Sequence, residues 1–377
     1  MRRRSLIAAA AATALVLAAC GGDDDDTGAD TADTAATEPT AEPTAEPTAE
    51  PTAEPTAEPT AEPTAEPTAE PTGDTGTGAP EGWPESLVLT LTPSQEAGGL
   101  IDTAQPLADA LTEALGIPVE AIVPSDYASV IVALQSNQAQ IAGGLGPSQM
   151  VQAEDTAGAT LILQSVRFGF GQYVTQWFTN SPDEFCADTP VANEDGFLFC
   201  NGVDQAVDPA EGPIGTEALA SVAGKTVAFV DQGSTSGYLI PSLGLLNAGV
   251  DPVTDISALF AGGHDSAVQA VYDGDAEVGV SFNDARGQLV ETVPDVGEQV
   301  VVFAWSDPIP NDGFAVAGDL PDDLTQAITD ALVAFAESEE GSVTMDELYE
   351  IDGLVPVPAG SYDIIRDLET ELGDLLG

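Results

Sequence analysis

The sequence predicts a two-lobed α/β fold in which sheets of parallel strands carry helices on both faces. The first observation is an alternation, from residue 87 onward, between short apolar runs typical of buried strands and amphipathic helical segments. The second is that small polar clusters follow several of these strands, and open parallel sheets bind ligands at the carboxyl ends of their strands. The third is that the chain has two segments suited to crossing between lobes, at 172–178 and 301–310, which predict a hinge of two strands.

The first half of this region shows the alternation clearly. The predicted elements are strands at 87–91, 119–123 and 140–145, two strands within 160–178, and helices at 106–115, after Ser125 and after Gln149. Leu107, Leu111 and Leu115 form one apolar stripe on the first of these helices, and Gly116 ends it. Ser125 is a residue type that commonly caps a helix, so we expect it to begin the second helix.

The second half continues the same pattern. The predicted elements are strands at 226–231, 277–282, 300–305 and 313–317, and helices at 238–249, 264–272 and from 324 to the end. Gly249 and Gly274 follow two of the helices, which is typical of a helix C-terminus. Polar residues follow two of these strands. The 233–237 motif follows the strand at 226–231, and Asn283 and Asp284 follow the strand at 277–282.

The most informative motif is Gly233-Ser234-Thr235-Ser236-Gly237, between a predicted buried strand and a predicted helix. At such a point free backbone N–H groups and the helix dipole favour an anion. The hydroxyls add uncharged donors, and the glycines allow a ligand to approach the backbone. One serine could instead cap the helix, its commonest role there. A cap explains one hydroxyl and leaves two, so the motif favours a site that binds a small oxyanion with neutral donors.

The N-terminus predicts export and a lipid anchor. Residues 1–20 have three arginines, an apolar run too short for a membrane span, and a final Leu-Ala-Ala-Cys. This ending resembles a bacterial lipobox, which implies cleavage before Cys20 and lipidation of Cys20 on the outer face of the cytoplasmic membrane. Residues 21–86 are acidic and repeat Glu-Pro-Thr-Ala, so we expect a disordered, extended stalk.

The charge of the chain excludes several partners. Its 377 residues carry a formal charge of −57, from 64 acidic residues and seven Lys and Arg. Beyond the predicted stalk the cations are Arg167, Lys225, Arg286 and Arg366. Because this part of the chain is so acidic, nucleic acid and an anionic membrane face are excluded as partners. The predicted membrane contact is therefore the lipid anchor alone. It suits work in high salt, where a dense carboxylate surface is screened.

The two remaining cysteines, Cys186 and Cys200, lie in one loop-like segment. Outside the cytoplasm this arrangement predicts a disulfide, so we expect residues 181–212 to be a stapled surface insertion. Its acidic residues could bind calcium, but their spacing matches no calcium loop, and a solvated acidic face is the favoured interpretation. No metal site and no cofactor are predicted.

Taken together, the motifs resemble those of the phosphonate- and phosphite-binding receptors of bacterial ABC importers, over about residues 87–362. They are Pro93-Ser94 with Pro106-Leu107, Ser125-Asp126-Tyr127, Gly146-Pro147, the run 223–230 with Ser234-Thr235-Ser236-Gly237-Tyr238, Gly262-Gly263-His264-Asp265, and Ile309-Pro310-Asn311. The combination is specific, whereas each motif alone is weak. The resemblance implies a type II periplasmic-binding-protein fold, with mixed sheets flanked by helices. On this basis lobe 1 comprises 87–172 and 306–377, and lobe 2 comprises 173–305 with the insertion.

The resemblance also implies a ligand site. Its residues are Ser94, Tyr127, Tyr173, Ser234, Thr235, Ser236, His264, Asn283 and Asp284. The three hydroxyls of 234–236 would bind the phosphonyl oxygens, with Tyr127 and His264 as further donors. Tyr173 would line the pocket or be a core aromatic, and Asn283 would contact the organic part of the ligand. Asp284 would do the same or be a plain strand terminus, and Arg167 would pair with the anion or lie in a surface ion pair.

The implied function is a monomeric extracytoplasmic receptor that captures a phosphonate or phosphite between its lobes and delivers it to an ABC permease. The alternative is the same scaffold with another oxyanion, phosphate or a sulfonate. A hydrolase is the third alternative. It is disfavoured because the nucleophile elbow G-x-S-x-G needs a serine at its centre, and in residues 233–237 that position is Thr235. In addition, Asp265 follows His264 directly and is poorly placed to orient the imidazole. The insertion and the stalk are not expected to touch the pocket.

Overall fold

The computed structural model describes residues 80–95, 97–204 and 208–376. The predicted signal segment, Cys20 and the predicted stalk up to residue 79 lie outside the described residues. The strands are β1 (Leu87–Leu91), β2 (Val119–Ile122), β3 (Ile141–Leu145), β4 (Thr160–Val166), β5 (Gln172–Tyr173), β6 (Thr175–Thr179), β7 (Val191–Ala192), β8 (Leu198–Phe199), β9 (Thr226–Phe229), β10 (Ser257–Phe260), β11 (Val278–Phe282), β12 (Val301–Trp305), β13 (Ile309–Pro310), β14 (Gly313–Val316) and β15 (Gly353–Pro356).

The α-helices are α1 (Ala97–Leu115), α2 (Tyr127–Gln135), α3 (Pro147–Asp155), α4 (Pro182–Phe185), α5 (Ile240–Asn247), α6 (His264–Tyr272), α7 (Val296–Gln299), α8 (Asp322–Ala336), α9 (Glu339–Tyr349) and α10 (Asp363–Leu376). Short 3₁₀ helices span Pro209–Glu211, Thr216–Val222 and Ala285–Leu289, and a π-helical turn spans Thr235–Leu239. Among the described residues, no helix is both long and apolar enough to cross a bilayer.

The first sheet has six strands in the order β15-β4-β14-β3-β1-β2. β1 is parallel to β2 and to β3, as the alternation of strands and helices predicts. β14 is antiparallel to β3 and to β4, and β15 is antiparallel to β4. These two strands return late in the chain, so no βαβ crossover sets their direction. The sheet is therefore mixed.

The second sheet has seven strands in the order β10-β9-β11-β6-β12-β8-β7. β10, β9 and β11 are parallel, and β6 is antiparallel to both β11 and β12. Its core includes Trp177, Phe229 and Phe303, whereas Leu89, Leu111 and Ile328 belong to the core of the first sheet. Two mixed sheets with flanking helices are the architecture that the resemblance implies.

A hinge of two strands connects the sheets. β5 and β13 form a small antiparallel sheet of their own, with Tyr173 opposite Ile309 and Gln172 opposite Pro310. β5 lies between β4 and β6, and β13 lies between β12 and β14, so each hinge strand is at a crossover from one large sheet to the other. The two predicted crossover segments contain these strands.

Helix α1 begins well before its predicted start at Pro106, which lies inside the helix. Leu100 and Ala104 are buried and extend the apolar stripe of Leu107 backwards by a turn and more. The prediction used proline as a marker of the first helical turn, where it is common. Here the continuous buried stripe outweighs the backbone hydrogen bond that the proline removes.

Helix α2 is capped by Asp126 and not by Ser125 as predicted. Oδ1 of Asp126 accepts the backbone N–H of Ser129 at 2.7 Å, and the hydroxyl of Ser125 donates to the same carboxylate. The hydrogen bonds from Ser129 lower the pKa of Asp126. A carboxylate at this position also interacts favourably with the helix dipole, which a serine does not.

The run 160–178 contains three strands, where two were predicted. Arg167 and Phe170 exchange backbone hydrogen bonds across a tight reversal, with Phe168 and Gly169 at positive φ. The second predicted strand, which held Tyr173 and Trp177, is divided at Val174 into β5 and β6, because the chain passes there from the small hinge sheet to the second sheet. As a consequence Arg167 lies at the end of β4 and Tyr173 lies in the hinge.

The insertion is more than a surface loop. Cys186 and Cys200 are joined by a disulfide, and β7 and β8 pair with each other within the same segment. Phe199 of β8 also pairs with Val302 of β12, so the insertion extends the second sheet at its edge. The segment is therefore tied to the core of the protein by both a covalent bond and a strand pairing.

Candidate functional site

A cavity of about 50 Å³ lies between residues of the first sheet and residues of the second. The first side provides Thr92, Ser94, Tyr127, Gly144, Gly146, Arg167, Asp312, Leu348 and Tyr349, and the other side provides Tyr173, Ser234, Thr235, Ser236, His264, Phe282 and Gln288. Seven of the nine predicted ligand residues line it, and Asn283 and Asp284 do not. A space of this size holds a few water molecules or one small ion.

The 234–236 motif forms one wall of the cavity at the start of a helix. Ser234, Thr235 and Ser236 are almost completely buried, and the π-helical turn that begins at Thr235 continues into α5. The hydroxyl of Ser234 accepts the N–H of Gly237 at 3.0 Å, so this serine is the helix cap. The first N–H groups of a helix have no acceptor within it, which leaves those of Thr235 and Ser236 for a ligand. Ser234 therefore caps the helix, whereas Thr235 and Ser236 are the residues whose N–H groups face a ligand.

Thr235 joins the motif to the opposite side of the cavity. Its Oγ1 accepts the backbone N–H of Ser148, in the first turn of α3, at 2.8 Å. Because the bond uses a lone pair of the hydroxyl, its hydrogen is still able to donate. Glycine is required close by: a Cβ on Gly237 would lie 2.4 Å from Cγ2 of Val230. The tight strand-to-helix turn that exposes these donors depends on that missing side chain.

Two buried tyrosines contribute phenol groups. Tyr127 and Tyr173 are 3% and 8% exposed, and their hydroxyls interact with the side chains of Ser234 and Ser236. Burial raises the pKa of both phenols well above the ordinary value. Both therefore stay protonated and act as neutral donors. Tyr173 is at once a cavity residue and a hinge residue, so it is not merely a core aromatic.

His264 is a neutral, buried imidazole at the start of α6. Its Nδ1 lies 2.8 Å from Oγ of Ser281, and its ring centroid lies 4.7 Å from that of Phe282. Burial, together with the positive charge of Arg167, lowers the pKa of His264 to about 3. A neutral imidazole has one N–H donor, and its other nitrogen accepts. In the tautomer in which Nδ1 accepts the hydroxyl of Ser281, Nε2 carries the N–H and adds an uncharged donor.

Arg167 also lines the cavity, and the suggestion of a surface ion pair is wrong. Its side chain is only 9% exposed, Nη2 is 3.3 Å from Glu350, and Nη1 is 3.6 Å from Asp312. The guanidinium carbon lies 4.8 Å from the ring centroid of Phe282. The site is therefore not built from neutral donors alone, because it contains a buried cation.

Asp312 and Glu350 are functional candidates that the sequence did not indicate. Oδ2 of Asp312 accepts the hydroxyl of Ser165 at 3.0 Å, whereas Oδ1 has no hydrogen bond to any described residue. Burial raises the pKa of Asp312, and it raises the pKa of Glu350 to about 7, with Arg167 opposing both shifts. The position of Asp312, directly after the Ile-Pro-Asn motif, was the one available signal. Glu350 follows helix α9, and no motif in the sequence pointed to it.

Asp284 does not reach the cavity, because its carboxylate is used by the protein itself. Oδ1 and Oδ2 accept Nε of Arg286 at 2.9 and 3.1 Å, and Oδ1 also accepts Nε2 of Gln176 at 2.8 Å. Arg286 is completely buried, so it needs this counter-charge. The expectation of a ligand contact for Asp284 is corrected accordingly: the residue neutralises a buried cation and caps a 3₁₀ helix.

Asn283 lies in a second, larger cavity beside the first. Its Oδ1 accepts the N–H of Val174 at 2.9 Å. This cavity has a volume of about 730 Å³ and shares Arg167 and Tyr173 with the small one. The insertion contributes part of its lining, including Glu194 and Asp195. The insertion is absent from the wall of the small cavity, but it lies next to it.

Comparison with known proteins places these observations in one family. Residues 89–362 match the family described as "ABC transporter, phosphonate, periplasmic substrate-binding protein", and residues 34–73 match one described as "PT disordered repeat". The phosphate-import protein PhnD of Mycolicibacterium smegmatis is 30% identical over 303 residues, which cover 76% of this chain and 85% of that protein.

Solved structures show the same fold. A binding protein component of an ABC phosphonate transporter from Pseudomonas aeruginosa has a TM-score of 0.62 at 20% identity, covering 75% of this chain and 85% of that one. PhnD1 from Prochlorococcus marinus, in complex with methylphosphonate, has a TM-score of 0.63 at 16% identity, covering 77% and 98%. The chain belongs to the phosphonate-binding family of periplasmic substrate-binding proteins of ABC transporters.

Proposed function

We propose that this protein captures a phosphonate or phosphite ion in the small cavity and delivers it to an ABC permease. The observation that carries the proposal is the convergence of buried donors on one cavity: the hydroxyls of 234–236, two phenols, and the imidazole of His264. Donors fixed in place in a buried site bind a charged oxygen more strongly than water-exposed donors do. The family consists of transport receptors and not of enzymes.

The size of the cavity limits the ligand. About 50 Å³ suits one compact tetrahedral ion, and a larger substituent would have to extend into the adjoining cavity of about 730 Å³. Among phosphorus oxyanions this favours phosphite and methylphosphonate over phosphonates with larger side chains. The methylphosphonate complex of PhnD1 is consistent with a ligand of this size on this fold.

Phosphate is the second candidate, and one observation favours it. The relative that is 30% identical is a phosphate-import protein, although it belongs to the same family. Phosphate, phosphite and methylphosphonate share a tetrahedral PO₃ face, which is the part that hydroxyl and N–H donors contact. The surroundings of the fourth substituent decide between them, and in this chain those surroundings include Arg167 and Asp312.

Calorimetric titration of the purified chain in high salt tests the proposal. The ligands are phosphite, methylphosphonate, 2-aminoethylphosphonate, phosphate and sulfate. If phosphite or methylphosphonate binds at least about 100-fold more tightly than phosphate, the result supports a phosphonate or phosphite receptor. The reverse order of affinities supports a phosphate receptor. Heat from none of the five would contradict both.

The remaining features of the proposed receptor concern its N-terminus and its organisation. We propose that Cys20 is lipidated, so that the protein is held at the outer face of the cytoplasmic membrane by its stalk. Metabolic labelling with a radioactive fatty acid tests this, with Cys20→Ser as the variant expected to lose the label. We also propose that the receptor is a monomer, with lobe 1 formed by 87–172 and 306–377 and lobe 2 by 173–305.

A further inference from the structure

One group of charges near the small cavity is not explained by the capture of an anion through neutral donors. Arg167 is a buried cation, and its two ionic partners, Asp312 and Glu350, are 11% and 21% exposed at their side chains. If both carboxylates are ionised, the three residues together carry one net negative charge. An anion that enters the cavity would then meet a negative cluster away from water, where repulsion is strong.

The guanidinium of Arg167 has the geometry of a ligand-binding group. Within the described residues its side chain makes one hydrogen bond, from Nη2 to Glu350 at 3.3 Å, although it has five N–H donors. Phe282 and Tyr173 flank it, with ring centroids 4.8 and 6.0 Å from the guanidinium carbon, and both rings line the cavity. The rings fix the position of the cation and leave most of its donors for another acceptor.

The two carboxylates, of Asp312 and Glu350, differ in their contacts and in their position relative to the cavity. Glu350 accepts the hydrogen bond from Arg167 and does not line the cavity, so its role is to counter the cation. Asp312 lines the cavity, and its Oδ1 has no hydrogen bond to a described residue. Oδ2 of Asp312 accepts the hydroxyl of Ser165, and Oδ1 lies 3.6 Å from Nη1 of Arg167. Two buried carboxylates thus share one cation, which is costly when both are ionised.

We propose that Arg167 is a charged ligand-binding residue of the oxyanion site, and that binding of the anion is coupled to uptake of one proton from solvent by the Asp312 and Glu350 pair. The proton neutralises one carboxylate, and the guanidinium then has the bound anion as its second partner. Glu350 acts as a positioning residue, because it acts on the ligand through Arg167. This inference rests on the proposed function and adds to it a dependence on pH.

Other ionisable groups also face these three residues. Those that face Arg167, Asp312 or Glu350 are Tyr173, His264, Asp284, Asp346, Tyr349 and Tyr362. Burial raises the pKa of all three tyrosines, so they stay neutral, and His264 has a pKa of about 3. The pKa of Asp312 is raised, and that of Glu350 is about 7, which leaves this pair as the groups that can take up a proton near neutral pH.

The test is calorimetry of the full chain with methylphosphonate and with inorganic phosphate, repeated at pH 8 in buffers of different ionisation enthalpy. This design counts the protons taken up for each anion bound. We expect close to one proton in the wild type, and a fall in affinity of about tenfold for each pH unit above 7. Glu350→Gln should take up at least about half a proton fewer and bind about tenfold more tightly at pH 8.

The matched control is Glu347→Gln, which removes an exposed carboxylate from the same helix, α9, without touching Arg167. It should reproduce the wild-type proton count. Protonation of the ligand itself contributes equally to the wild type and to both variants, so a lower count in Glu350→Gln alone reports protonation of the protein. Arg167→Gln should weaken binding at least about 30-fold, and Arg167→Lys, which keeps the charge, should recover part of the loss.

The outcomes are distinct. A wild type that binds neither anion at any pH contradicts the proposed function, and this inference with it. A wild type that binds with no proton uptake, or a Glu350→Gln variant with the wild-type proton count and pH dependence, overturns this inference and leaves the proposed function standing. Should Glu350→Gln not fold, Asp312→Asn takes its place in the same comparison, because it removes the other carboxylate of the pair.

Discussion

His264 donates its backbone N–H to the carbonyl oxygen of Ser94 at 2.8 Å, and this bond joins the first residue of α6 to the turn that follows β1. A second hydrogen bond runs from the backbone N–H of Ser148 to the side-chain hydroxyl oxygen of Thr235. Each bond connects a residue on the first-sheet side of the cavity with one on the second-sheet side. The residues that are predicted to hold the ligand therefore also hold the two sides of the site together.

Thr235→Ala should weaken binding of the preferred anion by about 10- to 100-fold. The substitution removes a hydroxyl donor to a charged oxygen and also the acceptor for Ser148. Thr235→Ser is the matched control, since it keeps the hydroxyl and should stay within about threefold of the wild type. Calorimetry measures both, and equal affinities of the alanine and serine variants would contradict the assigned role.

His264 should make the fold less stable in acid. Its pKa is about 3 in the folded protein and 6.5 when the side chain is exposed to water, so between these values the unfolded chain binds more protons than the folded one. The contribution of His264 to the free energy of unfolding is complete above pH 6.5, and it is lost as pH falls, by up to about 1.4 kcal/mol per unit. Urea unfolding at pH 7, 6 and 5 should therefore show a steeper decline for the wild type than for His264→Gln. Parallel declines would disprove it.

Association with the anion should become faster as salt is added. The chain carries a formal charge of −57, which repels an approaching anion, while the donors of the cavity are buried and little affected by screening. We expect the association rate constant to rise about tenfold between 0.1 and 1 M NaCl, with a smaller change in the dissociation rate constant. Stopped-flow fluorescence with sodium chloride, and sodium gluconate as the control for competing chloride, measures it. A rate that falls with both salts contradicts the prediction.

Asp284→Asn should destabilise the fold without weakening binding. It leaves Arg286, which is completely buried, without its counter-charge, and breaking a buried ion pair in this way costs about 3–5 kcal/mol. Glu184→Gln is the control, because Glu184 pairs with Lys225 at the surface and its removal should change the free energy of unfolding little. Chemical denaturation gives the stability, and calorimetry of the folded variant gives the affinity. Loss of affinity with unchanged stability would return Asp284 to the ligand site.

The sequence was most informative where local chemistry alone determines structure. The 233–237 motif predicted a strand, a turn and a helix start, and the structure places its hydroxyls at the cavity. Alternation of strands and helices predicted the parallel pairs correctly, such as β1 with β2. It predicted the strand that became β14 but not its antiparallel direction, because the direction of a strand that returns late in the chain depends on tertiary packing.

The charged part of the site was beyond the reach of the sequence for a physical reason. For Arg167 the sequence left two roles open, a partner of the anion or a surface ion pair, and Glu350 was one of many acidic residues in the chain. Their meeting depends on a reversal at Phe168 and on the end of α9, which are far apart in the chain. Asp284 was misassigned for the opposite reason: its position at a strand end suggested a ligand, and its actual partner, Arg286, is two residues away.

Tyr173 belongs to the hinge strand β5 and to the wall of the cavity at the same time. In the proposed receptor, a ligand in this cavity would therefore contact a hinge strand directly, with no intermediate residue. Ligand binding and closure of the proposed lobes would then be coupled through this one side chain. A permease that contacts both proposed lobes would then distinguish the loaded receptor from the empty one by their arrangement, without contacting the bound ion.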